Sequence, residues 1–176
     1  MSNLLAGNLT DLLTPQEFSH TLIITVGNCF RADDGVGPYI AVGLKQSAKL
    51  SVIDAGYTPE NIIDQAIKLL AQRRITASQI GPGAPGRIIF IDAADFGGSS
   101  GELRLIDAQH IPEVSLSTHS MPLSVISRIL YEDTQAKIYF IGIQPKSVEH
   151  QEGLSYEVKL AADALIKHIN QEFKDA

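Results

Sequence analysis

Short, almost continuously apolar runs alternate along this chain with stretches of helical periodicity. The apolar runs are TLIITV (21–26), LSVID (50–54), RIIFID (87–92) and KIYFIGI (137–143). A run without alternating polar residues is typical of a strand that is covered on both faces, as in a parallel sheet. These runs therefore predict the buried strands of the fold.

The stretches between the runs place apolar residues at intervals of three and four, which predicts helices. Thr58 is a candidate N-cap followed by Pro59 at the first helical position, and Ser120 is a candidate N-cap of a later helix. The periodic positions are Val36, Ile40 and Leu44; Ile62, Ala66 and Leu70; Leu123, Ile126 and Leu130; and Leu154, Val158, Ala161, Leu165 and Ile169. Alternating strands and helices predict an α/β fold of the doubly wound type.

Two segments depart from this alternation. GELRLID (101–107) alternates apolar and polar residues, which predicts an edge strand that lies antiparallel to RIIFID. RRITASQIGPGAPGR (73–87) is rich in Gly and Pro, which predicts a surface loop. The alternation begins at residue 21, and residues 1–20 contain only a marginal helix. We therefore divide the chain into an N-terminal extension (1–20) and a single α/β domain (21–176).

Composition narrows the class of protein. The 176 residues suffice for one α/β domain, and the formal net charge of −6 argues against nucleic acid or an anionic membrane as partner. No stretch approaches the ~20 apolar residues of a membrane span. Residues 1–20 have no basic segment followed by an apolar one, so we expect no signal peptide. We expect a cytoplasmic monomer.

The single cysteine and four of the histidines receive no functional role from the sequence. One cysteine excludes a disulfide framework, and we interpret Cys29 as a small, buried apolar residue. We interpret His20, His110, His150 and His168 as solvated surface residues.

Polar residues follow each predicted strand, at the edge where open α/β sheets form their binding sites. They are Asp33 and Asp34 after the first strand, Asp54 after the second, Asp92 and Asp95 after the third, Thr118 and His119 before the next helix, and Gln144 to Lys146 after the last strand. Carboxylates and one histidine therefore gather at one edge of the predicted sheet.

Several interpretations of this edge stay open on the residues alone. Asp33 or Asp34 could N-cap the helix that follows, and Asp54 could hold a turn. GNCFRADDGVGP (27–38) does not have the glycine spacing of a dinucleotide fingerprint. Its two adjacent carboxylates would also repel a pyrophosphate. Two carboxylates and an imidazole suit a borderline divalent ion such as Ni²⁺, Zn²⁺ or Mn²⁺, and three protein ligands would leave open positions, as catalytic metal sites do.

A receiver domain is a further interpretation of the same residues. The acidic pair, Asp92, Thr118 and Lys146 follow the order of the residues that a receiver uses. The pair lies too far beyond the first strand, however, and Lys146 follows Pro145 instead of preceding a proline. His119 would have no role in a receiver.

Five blocks of the sequence carry a resemblance to a known family. In chain order they are VGNCFRADDGVGP, VIDAGYTPEN, IIFIDAADFGGSSGELRLID, THSMPL and FIGIQP. Together they closely resemble the hydrogenase maturation endopeptidases, in particular the branch that processes the large subunit of the formate-hydrogenlyase [NiFe] hydrogenase. The resemblance covers roughly residues 21–170, while residues 1–20 and the loop 73–86 depart from the family pattern.

The resemblance implies a fold, an activity and a set of site residues. The fold is a twisted, mostly parallel five-stranded sheet flanked by helices. The activity is removal of the C-terminal extension of a [NiFe] hydrogenase large-subunit precursor after nickel insertion, with the nickel supplied by the substrate and replaceable by other divalent ions in a crystal. The catalytic and metal-contacting residues fall on Asp34, Asp92 and His119, and Asp54 matches an aspartate near the same cleft.

The expected nucleophile is water, because no Ser-His-Asp or Cys-His arrangement and no H-E-x-x-H motif is evident. Asp54 is a candidate for orienting one of the metal-contacting residues. The alternative from another functional class is a non-proteolytic metal-binding or receiver-like regulatory module on the same fold.

Overall fold

The computed structural model of the chain describes residues 7–14, 18–78, 86–106, 115–116 and 122–174. The helices are α1 Gly7–Leu13, α2 Val36–Gly43, α3 Ile63–Ser78, α4 Leu123–Thr134 and α5 Tyr156–Glu172, and 3-10 turns span Ala32–Gly35 and Pro59–Ile62. The strands are β1 Thr21–Thr25, β2 Leu50–Asp54, β3 Arg87–Asp95, β4 Leu103–Ile106, β5 Ser115–Leu116 and β6 Lys137–Ile143.

Five of the strands form a mixed sheet in the order β2-β1-β3-β6-β4. The first four are parallel, and β4 lies antiparallel at the edge. The two-residue strand β5 pairs antiparallel with the end of β3. Ile88, Ile89, Phe90 and Ile91 of β3 are fully buried, as their continuous apolar run predicts for a central parallel strand. The predicted fold class, a mostly parallel five-stranded sheet flanked by helices, is confirmed.

The antiparallel edge strand exists, but the predicted neighbour is wrong. β4 pairs with β6, from Leu103 opposite Ile143 to Ile106 opposite Phe140, and does not pair with β3. β3 already has β1 on one side and β6 on the other, so no place beside its apolar run is left. The alternation of polar and apolar residues identified an edge strand and carried no information on its partner.

Helices cover both faces of the sheet and define two layers of core. α1, α2 and α5 pack on one face, and α3 and α4 pack on the other. The helices after β1 and β2 therefore lie on opposite faces of the sheet, as in a doubly wound fold. This arrangement leaves the carboxyl ends of the parallel strands open at one edge, where the loops meet.

The N-terminal helix belongs to the first of these layers. Leu9, Leu12 and Leu13 of α1 are buried in the same cluster as α2 and α5. The guanidinium of the fully buried Arg87 donates hydrogen bonds to the Thr21 hydroxyl and to the Leu12 carbonyl, and thereby ties α1 to the start of the sheet. The division of the chain at residue 20 stays a prediction.

Two helix boundaries differ from the prediction. α3 continues to Ser78, so the first part of the predicted loop 73–87 is helical. The N-cap position of α4 is Pro122, which makes Ser120 the wrong residue for that cap, and Ser120 itself lies outside the described residues. Thr58 and Pro59 do occupy the predicted positions, but they start the 3-10 turn that precedes α3, and Thr58 makes no capping hydrogen bond through its side chain.

Among the helices that the structure describes, none is long and apolar enough to cross a membrane.

His20 contradicts the surface role predicted for it. Its side chain is 2% exposed, and its Nε2 hydrogen-bonds the Ser51 hydroxyl at 3.0 Å. Burial is the main cause that lowers the pKa of His20 to about 4, and the nearby positive charge of Arg73 acts in the same direction. Of the other three histidines, His150 is exposed as predicted, His168 is half-buried, and His110 lies outside the described residues.

Burial of neutral His20 predicts a loss of stability as the pH falls. The unfolded chain binds a proton at His20 below a pH of about 6.5, whereas the folded chain resists protonation down to about pH 4. The free energy of unfolding should therefore fall by about 2 kcal/mol between pH 7.5 and pH 5. Urea unfolding at several pH values measures this slope. His20→Gln should remove it, and the exposed His150→Gln should keep it; equal slopes in both variants would contradict the assignment.

Candidate active site

The loop after β1 brings Asp34 to the carboxyl edge of the sheet. The backbone N–H of Asn28 donates to the Asp34 carbonyl at 3.1 Å and to Asp34 Oδ2 at 3.2 Å. Gly27 makes this approach possible, since its φ is +144° and a Cβ there would lie 1.9 Å from the Asp34 carbonyl oxygen. The Asp34 side chain is held in this turn and is only 3% exposed.

Asp92 lies on the neighbouring strand. It pairs with Gly142 of β6, and β3 runs three residues further than the sequence predicted, to Asp95. Its side chain is 2% exposed. The backbone N–H of Val26 donates to the Ile91 carbonyl, and the 3-10 turn that carries Asp34 contacts β3. Asp34, in the turn after β1, and Asp92, in the neighbouring β3, are therefore two buried carboxylates at the same edge of the sheet.

Asp54 lies one strand further out and is exposed. Its Oδ1 accepts hydrogen bonds from the Thr25 hydroxyl at 3.3 Å and from the backbone N–H of Gly56 at 3.0 Å. The bond from Gly56 closes a turn. Holding a turn is one of the roles that the sequence left open for Asp54. Through Thr25 the same carboxylate also braces the end of β1, and the Gly56 carbonyl accepts the N–H of Gly27.

His119, the third predicted site residue, lies outside the described residues, as does Thr118. The described chain on either side of it is β5, whose Leu116 pairs with Ala94, and α4, which begins at Leu123. Within the part of the chain that the structure describes, no group of three or more His, Cys, Asp or Glu side chains could hold a metal ion. The roles of Asp34, Asp92, His119 and Asp54 stay predictions.

Asp33 has a structural role that the sequence did not reveal. The N-cap positions are Arg31 for the 3-10 turn and Gly35 for α2, so the prediction that Asp33 or Asp34 caps the helix is wrong. Asp33 is fully buried, and its carboxylate accepts three backbone N–H groups: Lys146 at 2.8 Å, Ser147 at 3.1 Å and Ser155 at 2.6 Å. Ser155 is the N-cap residue of α5, where negative charge also complements the helix dipole.

These bonds hold two distant segments side by side, residues 31–34 and the loop after β6 (144–151), which we call the wall. The N–H groups of Ala32 and Asp33 donate to the carbonyls of Gln151 and Ser147, and Arg31 Nε donates to the Val148 carbonyl at 3.1 Å. Ala32 has a φ of +45°, an unfavourable conformation for a residue other than glycine, and the surrounding hydrogen bonds hold it there. The segment from Arg31 to Asp34 is thereby fixed against the loop after β6.

A cleft opens beside this wall. Its volume is about 380 Å³, within the range of small-molecule pockets. It is lined by Arg31, Asp34, Ala93, Asp95, Gln144, Pro145, Lys146, Ser147, Val148 and Glu149. Asp34 thus lines the open cleft, together with Ala93 and Asp95 of β3. Asp92 precedes Ala93 in the same strand, so its side chain leaves the opposite face of the sheet.

Cys29 contradicts its prediction. It is exposed, in the loop that joins β1 to the 3-10 turn. The next residue, Phe30, is exposed as well, so this loop presents its side chains to solvent instead of filling core.

Comparison with known proteins identifies the family. The model of the hydrogenase maturation protease family HycI matches residues 38–172. The hydrogenase 3 maturation protease of Escherichia coli K12 is 32% identical over 151 residues, which cover 84% of this chain and 87% of the relative. A putative hydrogenase maturation protease of Methanocaldococcus jannaschii is 31% identical over 155 residues, which cover 82% of this chain and 83% of the relative.

Solved structures agree with the sequence matches. The crystal structure of the [NiFe] hydrogenase maturation protease HycI of Thermococcus kodakarensis superposes with a TM-score of 0.78 at 26% identity, over 96% of this chain and all of the other. The solution structure of the endopeptidase HycI of Escherichia coli gives 0.71 at 30% identity, over 86% of this chain and 90% of the other.

The chain therefore belongs to the hydrogenase maturation protease family, and it is a peptidase. The resemblance found in the sequence is confirmed. The match of the family model begins at Pro38, four residues after Asp34, so it includes Asp92 and His119 and does not include Asp34.

Replacing Asp33 by asparagine should destabilise the fold although the two side chains have nearly the same shape. An amide presents one oxygen and one NH₂ group, and the NH₂ would face a backbone N–H that now donates to a carboxylate. We expect the free energy of unfolding to fall by about 2–4 kcal/mol, measured by urea unfolding at pH 7.

Asp133→Asn is the matched control, since Asp133 is exposed in the last turn of α4 and should change the free energy of unfolding by less than about 0.5 kcal/mol. Equal stability of the two variants would show that the bonds of Asp33 do not hold the wall.

Proposed function

We propose that this peptidase removes the C-terminal extension of a [NiFe] hydrogenase large-subunit precursor, and that it recognises the nickel already bound in that precursor. The observation that carries the proposal is the pair of buried carboxylates, Asp34 and Asp92, at one edge of the sheet, with an open cleft beside Asp34. Family membership supplies the reaction, peptide hydrolysis in hydrogenase maturation. The two together support the cleft beside Asp34 as the place where the precursor binds.

Nickel enters this proposal as part of the substrate. Asp34, Asp92 and His119 provide two carboxylates and one imidazole, a donor set that suits a borderline divalent ion. Because these residues would complete the coordination of an ion that the precursor holds, a precursor without nickel would lack part of its binding energy. Cleavage would then wait for nickel insertion.

His119 fits this arrangement through the described residues that flank it. Leu116 of β5 pairs with Ala94, two residues beyond Asp92 on β3. Three residues lead from Leu116 to His119, and an extended chain of that length reaches at most about 11 Å. The attachment of β5 to β3 therefore supports the assignment of His119 to the same site as Asp92.

The proposed hydrolysis uses water as the nucleophile. The water oxygen forms a bond to the carbonyl carbon of the scissile peptide, and its proton passes to a site carboxylate, which acts as the general base. The C–N bond then breaks, and the leaving nitrogen takes up a proton, so that a new carboxyl terminus and a free amine result. Fixing the precursor through its nickel places the scissile bond next to Asp34, which is a positioning effect. This makes the enzyme a metal-dependent peptidase of the aspartate type.

Asp54 has a supporting role in the proposal. It is exposed and contacts Thr25 and Gly56, so it acts on the site by bracing the end of β1. The cytoplasmic location and the monomeric state expected from the sequence stay predictions.

The receiver-like alternative finds no support among the described contacts. A receiver needs both members of its acidic pair and its lysine directed at the phosphorylated aspartate. Asp33 instead accepts three backbone N–H groups, and the Lys146 ammonium donates to Glu157 Oε1 at 3.0 Å. The Asp33 carboxylate and the Lys146 ammonium are therefore both bound to partners other than Asp92.

Single substitutions of the proposed site residues test this function. Asp34→Asn, Asp92→Asn and His119→Ala should each reduce processing of a nickel-loaded precursor by at least about 100-fold, because each removes a metal contact or a base. Mass spectrometry of the precursor measures loss of the extension, and circular dichroism checks that each variant is folded.

Asp64→Asn is the control for the loss of one carboxylate, since Asp64 is exposed on α3, and it should process at the wild-type rate. If Asp34→Asn and His119→Ala both process the precursor normally, the site lies elsewhere.

A further inference from the structure

Gln144 follows the last residue of β6 and lies at the cleft, where its side chain is engaged on every polar atom. Its Oε1 accepts the backbone N–H groups of Phe96 at 2.9 Å and Gly98 at 3.1 Å. Its Nε2 donates to Asp95 Oδ1 at 3.1 Å and to the Pro145 carbonyl at 3.3 Å. The side chain is 6% exposed, and it lines the cleft.

These bonds join the two sides of the cleft. Asp95 is the last residue of β3 and the turn 96–98 follows it, whereas Pro145 lies in the loop that Asp33 holds against Arg31 and Asp34. The backbone of Gln144 extends the connection, because its N–H donates to the Glu102 carbonyl and its carbonyl accepts the N–H of Gly101. One residue therefore fixes the turn after β3 to the loop after β6.

The partners allow only one orientation of the amide. The oxygen faces two N–H donors, and the NH₂ faces a carboxylate and a carbonyl, so a rotation by 180° would place like groups together at all four contacts. The Gln144 amide is also the main cause of the lowered pKa of Asp95, followed by the N–H of Gly97. Asp95, although exposed, is thus held ionised and pointed in a fixed direction at the cleft.

We propose that Gln144 is a positioning residue for the substrate, which sets the shape of the cleft by holding Asp95 and the turn 96–98 at a fixed place against Pro145. The proposal rests on the proposed function, since it takes the precursor as the occupant of the cleft. Gln144 acts through Asp95 and the turn 96–98. Its loss should therefore weaken binding of the precursor more than it slows the chemical step.

Exchange of donor and acceptor between Gln144 and Asp95 tests this role. In Gln144→Glu, the oxygen toward Phe96 and Gly98 is kept, but a second carboxylate oxygen faces Asp95. We expect a 10- to 100-fold rise in KM for the nickel-loaded precursor, with kcat within about threefold of the wild type. In the double variant Asp95→Asn/Gln144→Glu, the new amide donates to the new carboxylate, while the bonds to Gly97 and Pro145 are lost. KM should therefore be at least about threefold lower than that of Gln144→Glu, without a full return to the wild-type value.

Gln65→Glu controls for the added charge, since Gln65 is exposed on α3, and it should leave KM and kcat unchanged. If Gln144→Glu does not fold, Gln144→Asn replaces it: this variant keeps the amide on a shorter side chain, and it should raise KM as well.

The outcomes separate this inference from the function on which it rests. If the wild type processes the precursor and Gln144→Glu has an unchanged KM, the inference is wrong and the proposed function stands. A double variant no better than Gln144→Glu would also overturn it, because the bond to Asp95 would then not determine binding. If the wild type cleaves no nickel-loaded precursor, the proposed function fails and the inference fails with it.

Discussion

The site depends on one buried carboxylate that takes no part in the proposed chemistry. Asp33 accepts backbone N–H groups from Lys146, Ser147 and Ser155, more than 110 residues further along the chain. An ionised carboxylate without partners would be costly to bury, and three charge-assisted hydrogen bonds offset that cost. They also require the loop after β1, the loop after β6 and the start of α5 to meet at one place. Asp34 is the next residue, so its position follows from the same contacts.

Two adjacent aspartates thereby have different tasks. Asp33 is enclosed by N–H donors and serves the fold, while Asp34 lines the cleft that we propose for the substrate. Gln144 likewise joins separate segments, the turn after β3 and the loop after β6. Its partners include both N–H donors and oxygen acceptors, so an uncharged amide can satisfy all of them. Rigid walls on both sides agree with a site that positions a substrate through a few exact contacts.

The sequence predicted the central features of the fold for a physical reason. Burial on both faces leaves a continuous apolar run, and the runs 50–54 and 137–143 match β2 and β6 to the residue. The rule that sites lie beyond the carboxyl ends of strands placed Asp34 and Asp92 at one edge, where the structure has them.

Features that depend on the approach of distant segments could not be predicted in this way. The partner of β4, the bonds of Asp33 and the burial of His20 are set by tertiary packing, which a local pattern does not encode. Cys29 was misjudged because a small apolar residue in a loop has no periodic signal that reports its exposure. The extent of α3 was misjudged because Gly and Pro in the segment 73–87 suggested a loop from its first residue.

The proposed site makes cleavage depend on the nickel of the substrate. The most direct measurement incubates the wild-type protein with one large-subunit precursor in two forms, nickel-loaded and nickel-free, and determines both product masses. We expect loss of the C-terminal extension from the nickel-loaded form alone. Equal cleavage of the nickel-free form would contradict it, because recognition would then not pass through the metal.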